Sequence, residues 1–133
     1  MTKYLIDNTK IYCQNLLPFK GFLAMAIYGV IFWRKDYKNY LDGAEDTYKT
    51  YVHKVVNHEN IHKAQMKDFF PWVPIGGTIF YLIYLFEWIG RLFVNGPANA
   101  YRNISFEQEA YNNETNLGYL SARKHFSQWR KNK

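Results

Sequence analysis

At 133 residues, with a formal charge of +6 and 20% aromatic side chains, the chain is one domain large enough to bury a core. That aromatic content excludes an intrinsically disordered chain. The single cysteine, Cys13, excludes an intrachain disulfide and fits a reducing compartment.

The positive balance suits an anionic membrane surface, a nucleic acid or an acidic partner. Residues 1–20 read as a short mixed segment closed by Pro18, without the long apolar core of a signal peptide. The expected location is the cytoplasm or the inner face of the cytoplasmic membrane. Cys13 reads as a packed small residue, because no His is suggested beside it. Residues 21–33 are uncharged but too few to cross a bilayer, which takes about 20. Gly29 can turn a hairpin and residues 30–33 are rich in strand formers. A buried hairpin or strand is therefore expected at about 22–34, with a helix as the competing reading. After Arg34-Lys35-Asp36 a polar loop leads to Gly43, and a helix is predicted from about residue 44 to 70, stopped by Pro71 and Pro74.

Residues 69–86 carry no charge, a run long enough to nominate a transmembrane helix. Gly76-Gly77 and the two prolines break its start, which leaves a predicted helix at 75–94. Glu87 and Arg91, four apart, can pair. Trp72, Tyr81, Tyr84 and Trp88 resemble an interfacial aromatic belt. Lys63 and Lys67 before this helix, and Arg91 and Arg102 in or after it, set no orientation. Asn95-Gly96-Pro97 is a turn. Ser105 and Gln108 form a capping box, so a further helix starts there, with Glu107, Ala110 and Glu114 on one face. The tail at 119–133 is basic and aromatic, with Arg123, Lys124, His125, Trp129, Arg130 and Lys131.

The chemistry concentrates in His58-Glu59-Asn60-Ile61-His62, an H-E-x-x-H motif inside the predicted 44–70 helix. Residues four apart lie one turn above each other, so two imidazoles can reach one Zn²⁺ at about 2.0–2.1 Å. Glu59 then stands where its carboxylate can take a proton from water at the metal. Tyr51, Val55, His58, His62, Gln65 and Phe69 recur at spacings of three and four, an inward-looking stripe. The competing reading is a surface helix with two solvated imidazoles. A catalytic zinc takes a third protein ligand. His53 lies on another helix face, and His125 sits among cations. Glu107 is the better candidate, in the first turn of a capped helix, with small Ala110 one turn on to admit a close neighbour. Glu109 is its rival, about 200° round the helix.

His58-Glu-x-x-His62 followed by Glu107-x-x-Ala110 resembles the gluzincin pattern of zinc metallopeptidases. It is similar to the membrane-associated peptidases that include the prenyl-protein and heat-shock membrane proteases, over the two motif helices only. Along most of its length the chain also resembles a group of small bacterial H-E-x-x-H proteins whose second motif reads F-E-x-E-A-Y. The resemblance implies an α+β, mostly α, zincin-like domain over 1–133. It implies Zn²⁺ held by His58, His62 and Glu107, Glu59 as general base, and a peptide or protein substrate. Where the larger family usually has Asp to orient a ligand His, this chain has Tyr111. Support for the ligands is then expected from Glu114 or Tyr111. Tyr101 or Tyr111 could stabilise an oxyanion, though each reads first as a core aromatic.

A single membrane crossing by the 75–94 helix would put His62 and Glu107 on opposite sides of the bilayer. The zinc reading therefore requires that helix to pack in the core or to lie in one leaflet. The favoured function is a small zinc metallopeptidase, with the strand at 30–33 as a candidate edge for an extended peptide. The alternative is a zinc-binding, membrane-associated protein without catalysis. Least favoured is nucleic-acid binding through Arg123, Lys124, Trp129 and Arg130.

Overall fold

Two tight turns organise the N-terminal quarter. The computed structural model describes residues 2–17, 20 and 22–129. Pro18, Gly21, Arg130 and Lys131 lie outside the described residues. Strands β1 (Thr2–Ile6) and β2 (Thr9–Gln14) pair antiparallel around Asp7-Asn8. Strands β3 (Ala24–Ile27) and β4 (Val30–Arg34) pair the same way around Tyr28-Gly29. All four turn residues have positive φ, the two-residue geometry whose twist matches that of the flanking strands.

β2 and β4 run parallel, which gives one sheet of order β1-β2-β4-β3. The mixed segment expected at 1–20 is thus largely a hairpin. Its signal is the Asp-Asn pair with alternating Thr9, Ile11 and Cys13, all buried. The hairpin expected at 22–34 is present and the competing helix is not. However, β4 is an interior strand, so residues 30–33 offer no edge. The sheet's edges are β1 and β3.

Among the described residues six α-helices follow: α1 (Lys38–Asp42), α2 (Lys49–Phe69), α3 (Val73–Asn95), α4 (Pro97–Ala100), α5 (Ser105–Asn113) and α6 (Tyr119–Ala122). The protein is accordingly α+β and mostly α. Helix α2 starts later than expected, because the chain turns between Gly43 and Tyr48 to bury Ala44. Sheet residues Ile11, Cys13, Ile31 and Trp33 pack with Leu41, Val52 and Val56 of α1 and α2 in one core. Met66, Phe80, Ile104 and Phe106 form a second, where α2, α3 and the start of α5 meet.

Gly76 and Gly77 do not break α3. They let it press against α2, since a Cβ at Gly76 would collide with the Met66 carbonyl oxygen and lie 2.6 Å from that of Phe70. Pro74 sits in the first turn, where its missing N–H costs nothing. The capping box expected at Ser105 is absent. Ser105 is the first helical residue, and its N–H and hydroxyl donate to Glu87 at 3.2 and 2.6 Å. A carboxylate from α3 thus caps α5 from outside, favourably placed at the positive end of that helix. Glu87 is turned onto α5 instead of Arg91, and no ion pair joins those two among the described residues.

Candidate metal centre

Helix α2 presents His58, His62 and Gln65 on its inner face, and α5 crosses it closely because Ala110 is small and fully buried. His58, His62 and Glu107 converge there, 7, 7 and 4% exposed. Glu107 Oε1 lies 3.2 Å from each imidazole Nε2. One ligand atom from each of the three falls within 4.8 Å of the others. Ligands held at about 2.0–2.1 Å by a tetrahedral ion stand roughly 3.3 Å apart. The two nitrogen–oxygen separations already match that edge, so the donor set could hold a metal such as zinc.

Each of the three is oriented from behind. Glu114 Oε2 accepts from His58 Nδ1 at 2.7 Å. Gln65 Oε1 accepts from His62 Nδ1 at 2.8 Å. The Tyr84 hydroxyl donates to the other Glu107 oxygen at 2.7 Å. With Nδ1 donating, Nε2 of both rings is left for the centre, the arrangement a metal-ligating His adopts. Asn57 fixes the turn that carries Glu114, donating to the carbonyls of Asn113, Glu114 and Asn116.

In the metal-free centre the electrostatics are dominated by one pair. Burial alone would lower the His62 pKa, but the Glu107 carboxylate overrides it and lifts the ring to about 9. For Glu107 burial acts upward, yet His62 and the hydrogen bonds from both imidazoles and Tyr84 hold it well below the ordinary carboxylate range. A metal entering this centre must therefore displace a proton from His62. Glu59 is half-buried beside them, and its desolvation pushes its pKa up against the pull of both imidazoles. Its Oε2 accepts the outward N–H of Ala26 on the β3 edge at 3.1 Å, while the Tyr81 hydroxyl donates to the Ala26 carbonyl at 3.1 Å.

Space adjoins the centre on two sides. One cavity of about 260 Å³ has Glu59, His62 and Glu107 on its wall and an apolar lining from Met25, Met66 and Phe80. A second, more open one, also about 260 Å³, meets His58 and Glu59 between Tyr51, Tyr101 and Tyr111. Phe22 and Ala24, in and just before β3, border both.

The other candidates are placed elsewhere. Glu109 is buried away from the cluster, bonded to Gln65, Tyr119 and Arg123. His53 faces Asp7 at 2.7 Å. His125, expected among cations, has the Asp68 carboxylate 2.9 Å from its Nδ1. Of the two residues expected to support the ligands, Glu114 makes the hydrogen bond. Tyr111 packs its ring on His58 at a 4.6 Å centroid distance, and its hydroxyl faces Tyr101. Sequence reasoning misses Gln65 and Tyr84 as site residues. Gln65 is visible as the polar position one turn after His62. Tyr84 is hidden inside the apolar run.

No family model matches the chain, and no curated protein or solved structure is significantly similar to it.

Proposed function

We propose that His58, His62 and Glu107 hold a Zn²⁺ ion and that the protein is a small zinc-dependent hydrolase acting on peptides. The observation that carries this reading is the buried convergence of the three side chains, each held by its own outside partner. Buried imidazoles are costly to desolvate, and their Nε2 atoms here face the same carboxylate oxygen. Zinc at such a centre supplies Lewis acidity and lowers the pKa of water toward about 7. Glu59 accepts the proton from the attacking water and returns it to the leaving amine. The Ala26 N–H holds that carboxylate on the wall shared by the two cavities. An extended peptide along the β3 edge would pass Glu59, with one cavity on either side.

The test is metal content and turnover of the purified full chain. Wild type should carry one zinc, His62→Ala and Glu107→Ala should lose it, and Glu59→Gln should keep zinc but cleave no peptide from a broad library. A wild type that takes up no zinc, or ligand variants that retain it, would end this proposal.

One observation favours a second reading, a zinc-binding protein at a membrane surface without catalysis. Helix α3 has a mean hydropathy of 1.4 over its most apolar 18 residues, yet only 17% of that window is buried. Phe86, Phe93 and Val94 are 72, 87 and 74% exposed. On this reading α3 lies in one leaflet of an anionic bilayer with the domain above it. Flotation with anionic vesicles, lost in Phe86→Ser/Phe93→Ser, supports the membrane contact. Absence of cleavage across the library with zinc bound would then favour this reading over the hydrolase. The nucleic-acid reading is weakened because Arg123 is engaged by Glu109 and Asp68.

A further inference from the structure

The zinc reading leaves unexplained a buried ion cluster behind His62. We propose that Gln65 is the positioning residue of His62, and that Arg123, arriving from the segment after α6, locks Gln65 in the required orientation through Glu109. This deepens the zinc reading and rests on it.

A primary amide can face a neighbour with either its oxygen or its nitrogen. Gln65 is fully buried, and its Nε2 donates to the Phe106 carbonyl at 2.9 Å and to Glu109 Oε1 at 3.0 Å. Turning the amide over would set its oxygen against a carbonyl and a carboxylate at once. The oxygen is therefore committed to His62 Nδ1, which must be a donor, and Nε2 is left for the metal.

The lock needs Glu109 held in place, and its side chain is 0% exposed. Arg123 supplies the counter-charge with a two-pronged contact, Nε to Oε2 at 2.6 Å and Nη2 to Oε1 at 3.1 Å. The Tyr119 hydroxyl adds a third bond to Oε2 at 2.6 Å. The same guanidinium reaches Asp68 at 3.0 and 2.7 Å. That second contact offers a competing explanation, in which Arg123 merely pins the C-terminal segment onto α2. The two contacts share Nη2 but differ in what lies beyond them. The Asp68 carboxylate takes Arg123, His125 and the Phe126 N–H, and among the described residues it bonds neither Glu109 nor Gln65.

The experiment measures zinc affinity of the full chain by chelator competition, together with the visible spectrum of the cobalt-substituted protein. Gln65→Leu alters no charge and should weaken zinc binding about 10- to 100-fold, the range seen when a ligand's hydrogen-bond partner is removed. Its cobalt bands should shift, as the His62 ring is no longer held. Arg123→Lys, which cannot fork across both Glu109 oxygens, should lose at least about fivefold, whereas Asp68→Asn should stay within about twofold. Gln65→Leu within twofold of wild type, with an unshifted cobalt spectrum, would overturn the assignment. Asp68→Asn falling as far as Arg123→Lys would overturn the part given to Arg123. A wild type that binds no zinc would instead refute the metal reading itself and this inference with it.

Discussion

Replacing Glu114 by Gln changes one atom of the centre and leaves its shape. The carboxylate oxygen 2.7 Å from His58 Nδ1 becomes an amide oxygen at the same place. The backbone there is held by three bonds from Asn57, so the new side chain has no reason to move. A hydrogen bond to a charged group is worth about 1.5–3 kcal/mol and a neutral one about 0.5–1.5. The exchange therefore removes about 1–1.5 kcal/mol, felt most when a cation on Nε2 makes the Nδ1 proton more acidic. That difference corresponds to roughly a tenfold loss of zinc affinity at 1.4 kcal/mol per decade. Glu114→Ala, with no acceptor, should approach 100-fold. The assay is chelator competition near neutral pH, with thermal unfolding of the metal-free protein alongside. The metal-free Tm should stay within about 2 °C of wild type, because this loss falls on the zinc-bound state. Zinc affinity unchanged within twofold in Glu114→Gln, while His62→Ala abolishes binding, would show that this carboxylate does not prepare His58 for a metal.

Tyr84→Phe removes the donor to Glu107 and leaves a buried carboxylate oxygen bare. The metal-free protein should lose about 1.5–3 kcal/mol, read in urea unfolding, and an unchanged midpoint would contradict the hydrogen bond. Gly76→Ala should destabilise by more than about 3 kcal/mol, because the carbonyls of Met66 and Phe70 are backbone and cannot retreat. Gly90→Ala, with nothing within 4 Å, should gain about 0.5–1 kcal/mol. Equal effects at the two glycines would be incompatible with the α2–α3 contact.

The fourth prediction concerns pH. His62 binds its proton more tightly folded than unfolded, so its contribution to metal-free stability is complete below about 6.5 and is lost as pH rises through about 9. Glu107 is shifted the other way, so its share is present above about 4.5 and is lost on acidification. The metal-free Tm should fall on both sides of this window. With zinc bound the alkaline fall should disappear, since the ring is already neutral. A metal-free Tm that stays flat from pH 6 to 10 would count against the His62–Glu107 pair.

How much of this is legible in the sequence depends on whether a signal is local. The pair His58 and His62 needs only one helix, and helix spacing fixes their relation. That Glu107 and not Glu109 shares their space follows from helix phase, because α5 turns only one of the two toward α2. Glu87 misleads. Its helical neighbour Arg91 is the obvious partner by spacing, but a helix N-terminus delivered by the Gly96-Pro97 reversal offers two donors at once. The first hairpin is legible in principle from Asp7-Asn8. Its signal is faint because Asp and Asn adopt positive φ less reliably than Gly and so mark such turns more weakly.

The ambiguity of residues 69–94 has a physical origin in α3 itself, which serves two environments on opposite faces. Its inner face meets the domain at successive turns, with Phe80 against His62, Tyr84 on Glu107 and Glu87 on Ser105. Its outer face carries Leu82, Leu85, Phe86, Ile89 and Phe93, all substantially exposed. Hydropathy averages the two faces and so reports a membrane span. A helix touching the centre at its middle turns cannot stand across a bilayer without drawing α2 and α5, with their charged side chains, into the hydrocarbon. If α3 meets lipid, as the second reading proposes, these inner contacts leave only its outer face for that role. Shortening the apolar face should therefore weaken vesicle binding without changing zinc affinity. A loss of zinc in Phe93→Ser, a residue 87% exposed and beyond the contacts that reach the centre, would mean that the two faces are not independent.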